Sequence, residues 1–330
     1  MKAKLSIIAG FLISAVLLWL AFRNVDFARL AAVYSSVNPA YIVPFAALVV
    51  LEMFLRGARW RLLLNPSAPV KVLDAFRLQA AGLALNNILP MRLGELARAT
   101  FAARLFDIPL LTVLATILVE RLLDVIVLFL MFAAAAALGG ITGGFMHYGA
   151  ALWALVAAIT AGIAALIFAD ELVAHRWFAG FFARFPRVRG LFEKVAMGVK
   201  GFHSFRSGAL IFLFAFLQWA VDVVNYLVLA RAFGLQGVLD VYKSVALLFS
   251  GAVAASVPGM PGYFGNFEFT LSRVMEGWGI ARETGFAFAS YAHVLGYVVI
   301  TVLGVFFIYQ MGQSLGRVWK DFAGKGGKAE

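Results

Sequence analysis

Long runs of apolar residues alternate with short polar segments along this chain. Most runs approach or exceed the roughly 20 residues that a helix needs to cross the hydrocarbon core of a bilayer. A helix also pairs its own backbone polar groups, which lipid cannot do. The pattern therefore predicts an all-α, polytopic membrane protein with six spanning helices, in the runs 5–22, 41–55, 108–138, 150–169, 209–230 and 285–311.

Two further apolar runs, 76–89 and 245–257, are too short to span and lead into segments rich in proline and glycine. Proline lacks an amide donor and glycine permits unusual dihedral angles, so a helix that reaches such a segment must stop. In a bilayer, broken backbone is tolerated only against protein or a water-filled cavity. We therefore expect two re-entrant helical hairpins, over about 76–98 and 243–276. Their breaks would be formed by Pro90, Gly94, Pro258, Gly259, Pro261, Gly262 and Gly265.

The spacing around these breaks indicates an internal repeat. Glu52 precedes Pro90 by 38 positions, and Asp222 precedes Pro261 by 39. Interrupted segments at corresponding places in two halves are typical of the binding site of a transporter. We predict a 3+3 inverted repeat whose hairpin tips meet near the membrane midplane, and whose halves rock against each other during transport. The repeats would occupy 1–138 and 139–330, the second ending in a short basic tail.

The composition agrees with residence in lipid. Hydrophobic residues make up 63% of the 330 residues and charged residues 14%, whereas soluble globular domains are roughly 45 to 50% apolar. The net charge is +11, and with six spans most Lys and Arg residues fall on one side. The positive-inside rule then places both termini in the cytoplasm, in the plasma (inner) membrane. Anionic lipid head groups at that face explain the basic charge without any nucleic acid.

Several ionisable or polar side chains lie inside the predicted spans. Each ionisable one costs roughly 2.5 to 3.5 kcal/mol at the bilayer centre on insertion scales, so we expect it to face the protein interior and find a partner. Arg121 can pair with Asp124, three residues on, along one helix face. Such groups are either internal salt bridges or functional residues, and both interpretations stay open here. The set comprises Glu52, Glu120, Arg121, Asp124, Asp222, Asn225 and His293.

A second polar set surrounds the breaks. Arg92, Glu95 and Arg98 recur at three-residue spacing on the helix that returns from the first break. Guanidinium groups bind phosphate bidentately, which favours an anionic head group as ligand, although an arginine near an interface can also simply extend toward water. Asn86, Asn87 and, at the second break, Glu268 complete the candidate substrate-binding residues. The chain has no cysteine and no His/Glu spacing typical of a metal site, so we expect no metal and no cofactor.

The order of these motifs resembles a known family. The segments 56–64 (RGARWRLLL), 87–98 (NILPMRLGELAR), 119–124 (VERLLD) and 261–268 (PGYFGNFE) are similar to successive motifs of the lysylphosphatidylglycerol synthase transmembrane, flippase-like family. The family usually has a second glycine after Pro-Gly, where this chain has Tyr263. The chain resembles a stand-alone member, without the aminoacyl-transferase domain of the bifunctional members.

The resemblance implies a lipid translocase. The membrane part of the family moves, or is thought to move, modified phospholipids or other polar-headed lipids between leaflets. We expect membrane lipids as substrates, no covalent chemistry, and a homo-oligomer or a lipid-biosynthetic protein as a possible partner. Two alternatives stay open: a membrane enzyme or accessory subunit of lipid-linked (hopanoid, glycolipid or polyprenyl-phosphate) biosynthesis, and an ion-coupled carrier of a small solute.

Overall fold

The computed structural model describes residues 16, 19, 26–89, 93–139, 153–154, 156–161, 183–256 and 261–312. All regular secondary structure within these residues is helical, which confirms the all-α class. The α-helices are α1 Phe27–Ser36, α2 Ile42–Leu64, α3 Val72–Ile88, α4 Leu93–Phe106, α5 Leu110–Gly139, α6 Pro186–Met197, α7 Phe205–Ala232, α8 Val241–Ser256, α9 Asn266–Glu276 and α10 Arg282–Gln310.

Among the described residues, four helical segments are long and apolar enough to cross a membrane. They are α2 with the 3₁₀ turn before it (Pro39–Leu64), α5, α7 and α10. They correspond to four of the six predicted runs and support the assignment to a membrane. The other two runs, 5–22 and 150–169, lie largely outside the described residues, so the count of six spans stays a prediction.

Short polar side chains mark where the first helices begin. The carboxylate of Asp26 accepts hydrogen bonds from the amides of Ala28 and Arg29 and so caps α1. The Asn38 side chain accepts from the amide of Ala40 in the same way, one residue before Pro39 opens the turn that leads into α2. These contacts satisfy amides that the first turn of a helix cannot pair internally.

The first predicted break separates α3 from α4. Helix α3 ends at Ile88 and α4 begins at Leu93, while Pro90, Met91 and Arg92 lie outside the described residues. A methyl group at Gly94 would lie 2.2 Å from the carbonyl oxygen of Gly82. The start of α4 therefore packs directly on the backbone of α3, at a distance that excludes any larger residue.

The second predicted break separates α8 from α9. Pro258 and Gly259 lie outside the described residues, and Pro261–Tyr263 forms a single 3₁₀ turn. Gly262 and Gly265 have φ angles of +73° and +92°, in the region that favours glycine. Tyr263 also has a positive φ, of +51°, at the position where the resembled family usually has glycine. Its backbone is therefore strained relative to glycine.

The chain forms two compact units, and each draws on separated parts of the sequence. The first takes its described residues from Met1–Leu51, Arg77–Ala97 and Val221–Glu330, and the second takes them from Glu52–Phe76 and Arg98–Ala220. Spatial grouping need not follow a duplication, so the repeat boundary near residue 138 stays a prediction.

In the first unit, small residues let helices approach closely. A methyl group at Gly304 of α10 would lie 2.3 Å from the carbonyl oxygen of Ala80 in α3. Helix α9 packs on both α8 and α10, and α10 also contacts α1. In a bilayer, where lipid competes for apolar contacts, close approach at small residues is a main source of helix association.

In the second unit, the same kind of contact joins other helices. A methyl group at Gly57 of α2 would lie 2.7 Å from the Cα atom of Phe76. Gly198, just after α6, lies against Ala115 of α5 with an equally short approach. Gly57 and Gly198 thus allow α2 and α5 to lie close to other helices. Helices α2 and α5 carry most of the buried charges described next.

Candidate functional site

The ionisable candidate residues belong to both compact units. Glu52, Glu120, Arg121 and Asp124 lie in the second unit, whereas Asp222, Glu268 and His293 lie in the first. We call the second-unit group the arginine cluster. It consists of Glu52, Arg56, Arg59, Arg98, Glu120, Arg121 and Asp124.

Arg59 lies at the centre of the arginine cluster. Its side chain is completely buried, its Nη1 atom donates to Oδ1 of Asp124 at 2.7 Å, and its Nη2 atom lies 3.5 Å from Oε1 of Glu120. Asp124 also accepts a hydrogen bond from the amide of Gln218 in α7, at 2.9 Å. Glu120 and Asp124 are four residues apart on α5, so one face of that helix presents both carboxylates to α2.

Arg98 is held on the inner side of the cluster. Its Nη2 atom lies 3.5 Å from Oε2 of Glu120, and its guanidinium carbon lies 4.4 Å from the centre of the Trp60 ring. The indole nitrogen of Trp60 in turn donates to the hydroxyl of Thr116 at 3.0 Å. Arg98 was predicted to hold a head group, but in this conformation it is buried against a carboxylate and an aromatic face.

Two other arginines lie at the edge of the cluster. Arg56 pairs with Glu52 one turn before it and lies 3.8 Å from Asp124. Arg121 contacts Asp124 at 3.3 Å, a contact that their spacing predicts, and its side chain remains 31% exposed. Among the arginines of the cluster, Arg121 is thus the most accessible to a ligand.

The balance of charges in the cluster is uneven. Four guanidinium groups face three carboxylates, so the cluster carries one net positive charge when all of its members are ionised. Paired charges are the form in which ionisable groups are tolerated at membrane depth. The partly exposed guanidinium of Arg121 at the edge of the cluster is suited to an anionic group.

The first unit contains a buried acid–base pair. Nδ1 of His293 in α10 and Oε1 of Glu268 in α9 share a hydrogen bond of 2.5 Å. The other carboxylate oxygen of Glu268 accepts the amide of Gly265 at 2.7 Å, which caps the start of α9 directly after the second break. Both side chains are less than a tenth exposed.

Aromatic rings surround the imidazole of His293. The ring of Phe264 stacks on it at 4.3 Å between centroids, and the rings of Tyr263 and Phe267 lie at 5.6 and 5.0 Å. Within the described residues, the Nε2 atom of His293 is buried and has no hydrogen-bond partner. The pair can therefore accept one more proton at a defined atom.

The remaining predicted residues have different surroundings. The side-chain amide of Asn87 donates to the hydroxyl of Thr301 at 3.0 Å, and the backbone carbonyl of Asn87 accepts from the Tyr297 hydroxyl at 3.2 Å. Asn225 is buried in α7, whereas Asn86, Glu95 and Asp222 are half-buried. Arg92 lies outside the described residues, as do Pro90, Pro258 and Gly259.

Sequence reasoning did not assign site roles to several residues that complete these two groups. Arg56 and Arg59 were counted only among the basic residues of the cytoplasmic side and, with Trp60, in the family resemblance. Three arginines within one apolar helix already indicate buried partners. Gln218 is polar within an apolar run, which is itself a signal, and Tyr263 was noted only as a departure from the family pattern. Phe264 and Phe267 carry no local signal that separates them from ordinary core residues.

Comparison with known proteins agrees with the membrane assignment. The family described as the lysylphosphatidylglycerol synthase TM region matches residues 7–304. A UPF0104 membrane protein of Methanothermobacter thermautotrophicus is 23% identical over 311 residues, which cover 90% of this chain and 89% of that protein. Another UPF0104 membrane protein, from Methanocaldococcus jannaschii, is 32% identical over 136 residues, which cover 40% of this chain and 38% of that protein.

A third similar protein carries the name of an enzyme. Glycosyltransferase AglD of Haloferax volcanii is 24% identical over 310 residues, which cover 82% of this chain but only 49% of that protein. The chain therefore spans about half the length of this relative. No solved structure matches the chain.

Proposed function

Because this chain belongs to the family of the lysylphosphatidylglycerol synthase TM region, we propose that it is a lipid translocase that moves a polar-headed lipid between the two leaflets of a membrane. The chain itself catalyses no covalent step in this proposal. The lipid is anionic or aminoacylated, and its head group passes through the polar interior of the protein while its acyl chains stay in lipid.

The observation that carries the proposal is the guanidinium of Arg121, which lies at the edge of the arginine cluster and remains 31% exposed. A phosphate group can replace part of the contact between Arg121 and Asp124 and accept two parallel hydrogen bonds from the guanidinium. Because Arg59 and Arg98 already contact Glu120, their role is to hold the cluster together. Arg92, at the first break, remains a further candidate for the head group.

Carboxylates of the site are suited to the ammonium group of an aminoacylated lipid. Glu52 lies beside Arg56 at the margin of the cluster, and an ammonium group of an aminoacylated lipid would find a carboxylate there. Glu95 and Asp222 are half-buried and keep this role in the proposal. A head group with both a phosphate and an amine would thus find a guanidinium for the phosphate and a carboxylate for the amine.

The proposal includes the finer topology. We propose that α3–α4 and α8–α9 are re-entrant hairpins of an inverted repeat, that six helices span, and that both termini lie in the cytoplasm at the inner membrane. Support comes from the breaks between these helices, from the close packing of Gly94 on Gly82, and from the positive φ angles at the second break. Cysteine-accessibility labelling from each side tests the topology directly, since the natural chain contains no cysteine.

The transport activity is tested in liposomes that contain the purified protein. Phosphatidylglycerol and phosphatidylcholine with a fluorescent head group or acyl chain are incorporated, and dithionite quenching measures how fast the inner-leaflet probe becomes accessible. We expect the protein to accelerate exchange of the anionic probe more than that of the zwitterionic one. Arg121→Gln should reduce exchange of the anionic probe by roughly tenfold, since a charge-assisted hydrogen bond is worth about 1.5 to 3 kcal/mol.

Arg273→Gln provides the matched control. Arg273 forms an exposed pair with Glu276 at the same three-residue spacing, 2.7 Å long, in a different part of the chain. Its loss should leave exchange unchanged. Equal exchange by wild type, Arg121→Gln and empty liposomes would contradict the proposal.

A second candidate function is a role in the synthesis of lipid-linked glycans, which the similarity to glycosyltransferase AglD favours. The matched region covers about half of that protein, so the shared part can be a membrane component rather than the part that transfers the sugar. Incubation with nucleotide sugars and polyprenyl phosphate, followed by mass spectrometry of the lipids, separates the two functions. A new glycolipid would favour this second function.

A further inference from the structure

The lipid-translocation proposal leaves open what drives net movement of lipid. A transporter that moves lipid against a gradient needs a second, coupled ligand whose binding changes the same structure. The groups most suited to such a ligand lie in the first unit, at the start of α9. We propose that Glu268 and His293 form a proton-binding site that couples proton movement to lipid movement; this inference rests on the proposed function.

Geometry makes the pair suited to a single additional proton. Nδ1 of His293 is occupied by the 2.5 Å hydrogen bond to Glu268, while Nε2 is buried and without a partner among the described residues. A proton that arrives from water binds at Nε2 and converts the pair from one net negative charge to neutrality. The same proton leaves from Nε2 when the site faces the other side. No covalent bond between heavy atoms forms or breaks.

The groups around His293 are suited to stabilising its protonated ring. The face of the Phe264 ring lies 4.3 Å from the imidazole, nearly parallel to it, and Tyr263 stacks on it with an interplanar angle of only 3°. Aromatic faces attract a cation, so they favour the protonated ring. The carboxylate of Glu268, which also accepts the amide of Gly265, lies beside the ring and stabilises the same state. Histidine is the side chain whose ordinary pKa lies closest to physiological pH.

Other titratable groups on the neighbouring elements have different contacts. Tyr297, one turn further along α10, lies against Phe264, and Arg273 on α9 is bonded to Glu276. On α1 and α8, the carboxylate of Asp26 caps its own helix and Lys243 lies over Trp278. From α7, Tyr226 stacks on Phe288 rather than on the imidazole. Among the contacts of the described residues, Glu268 is thus the charged group joined to His293.

The pair is also connected to the broken segment, so its charge can change the protein conformation. Glu268 bonds His293 with one carboxylate oxygen and the Gly265 amide with the other. Gly262, Tyr263 and Gly265 all have positive φ angles, which this cap helps to hold. When the pair becomes neutral, the bond to Gly265 weakens because a carboxylate that shares its charge with an imidazolium is a poorer acceptor. Protonation therefore loosens the start of α9 at the second break.

The test uses the full chain in liposomes with an imposed pH difference and a clamped membrane potential. If one proton moves with each lipid, a difference of one pH unit shifts the steady-state ratio of labelled lipid between leaflets about tenfold, since each pH unit is worth about 1.36 kcal/mol per proton. His293→Gln and the near-isosteric Glu268→Gln should both lose the response of the lipid ratio to the pH difference. His203→Gln, which changes an exposed histidine outside the pair, should respond like wild type.

A second measurement keeps the two proposals separate. Addition of lipid to wild-type protein in detergent should change the pH of a weakly buffered solution, reported by an indicator dye, and His293→Gln should not produce this change. Lipid exchange that ignores the pH difference, or a His293→Gln variant that still responds to it, overturns the proton site while the translocase proposal stands. If wild-type protein gives the pH change on addition of lipid but exchanges no lipid between leaflets, the translocase proposal is overturned and the proton site stands.

Discussion

Arg59 and Asp124 are 65 residues apart in the chain, yet their side chains meet at 2.7 Å in a fully buried contact between α2 and α5. The same guanidinium also faces Glu120, so one cation holds two carboxylates that lie one turn apart on α5. The pair therefore fixes both the rotation of α5 and its distance from α2. Removal of either partner leaves a charge buried without compensation.

We predict that Arg59→Met is strongly destabilising. Breaking a buried pair by removing one partner costs about 3 to 5 kcal/mol, and here two carboxylates lose the same cation. Thermal unfolding in detergent, followed by circular dichroism, measures the loss. Arg189→Met is the control, because Arg189 pairs with Glu193 on the surface at 2.8 Å, where ion pairs contribute about 1 kcal/mol or less. Equal melting temperatures for the two variants would contradict the assigned role of Arg59.

Two glycines of α10 allow a comparison of packing within one helix. A methyl group at Gly304 would lie 2.3 Å from a backbone oxygen of Ala80, whereas one at Gly296 would have no neighbour within 4 Å. Alanine favours a helix over glycine by about 1 kcal/mol, so Gly296→Ala should be neutral or stabilising. Gly304→Ala must separate α10 from α3 and should cost about 1 to 3 kcal/mol. Melting temperatures in the same detergent decide the order, and a Gly304→Ala variant as stable as Gly296→Ala would show that α10 and α3 do not pack this closely.

Much of the helical framework could be predicted from sequence because it depends on local properties. Apolar runs of sufficient length identify the spans near residues 41–55, 108–138, 209–230 and 285–311, and the structure has α2, α5, α7 and α10 there. The contact between Arg121 and Asp124 is local as well, since three-residue spacing places two side chains on one helix face.

The partners of the buried charges could not be predicted in the same way. Arg59 meets Asp124, and Arg98 meets Glu120, only because helices distant in sequence pack side by side. Apolar patterning does not encode which helices pack together or in which register. Sequence analysis identified no partner for His293, which bonds Glu268, 25 residues earlier on another helix. Ion pairs between helices can be predicted only once the packing of those helices is known, and the apolar pattern of the sequence predicts only the helices themselves.

The turn at the second break leads to a prediction about Tyr263. Its φ of +51° is strained for a residue with a side chain, and its ring stacks on His293. Tyr263→Ala loses the ring and keeps the strain, whereas Tyr263→Gly loses the ring and relieves it. We expect the glycine variant to be more stable than the alanine variant by about 1 kcal/mol, within the usual cost of a left-handed residue. Denaturation of both variants in the same detergent measures the difference, and an alanine variant of equal or greater stability would mean that the turn does not hold this conformation.

The hydrogen bond from the indole of Trp60 to the hydroxyl of Thr116 gives a prediction about the cost of leaving a buried donor without its acceptor. The Thr116 hydroxyl accepts from the indole at 3.0 Å and itself donates to the carbonyl of Val113 at 2.7 Å. Thr116→Val removes the acceptor and leaves the buried indole N–H unsatisfied, which should cost about 1 to 3 kcal/mol.

Combination with Trp60→Phe distinguishes this cause from a simple change in packing. Phenylalanine has no N–H group to leave unsatisfied, and it keeps an aromatic face under Arg98. In the Trp60→Phe background, Thr116→Val should therefore cost much less than it does in the wild type, by a coupling energy of about 1 kcal/mol or more in the double-mutant cycle. Unfolding of the four proteins in one detergent gives that energy, and a value near zero would mean that the indole and the hydroxyl do not bond inside the membrane.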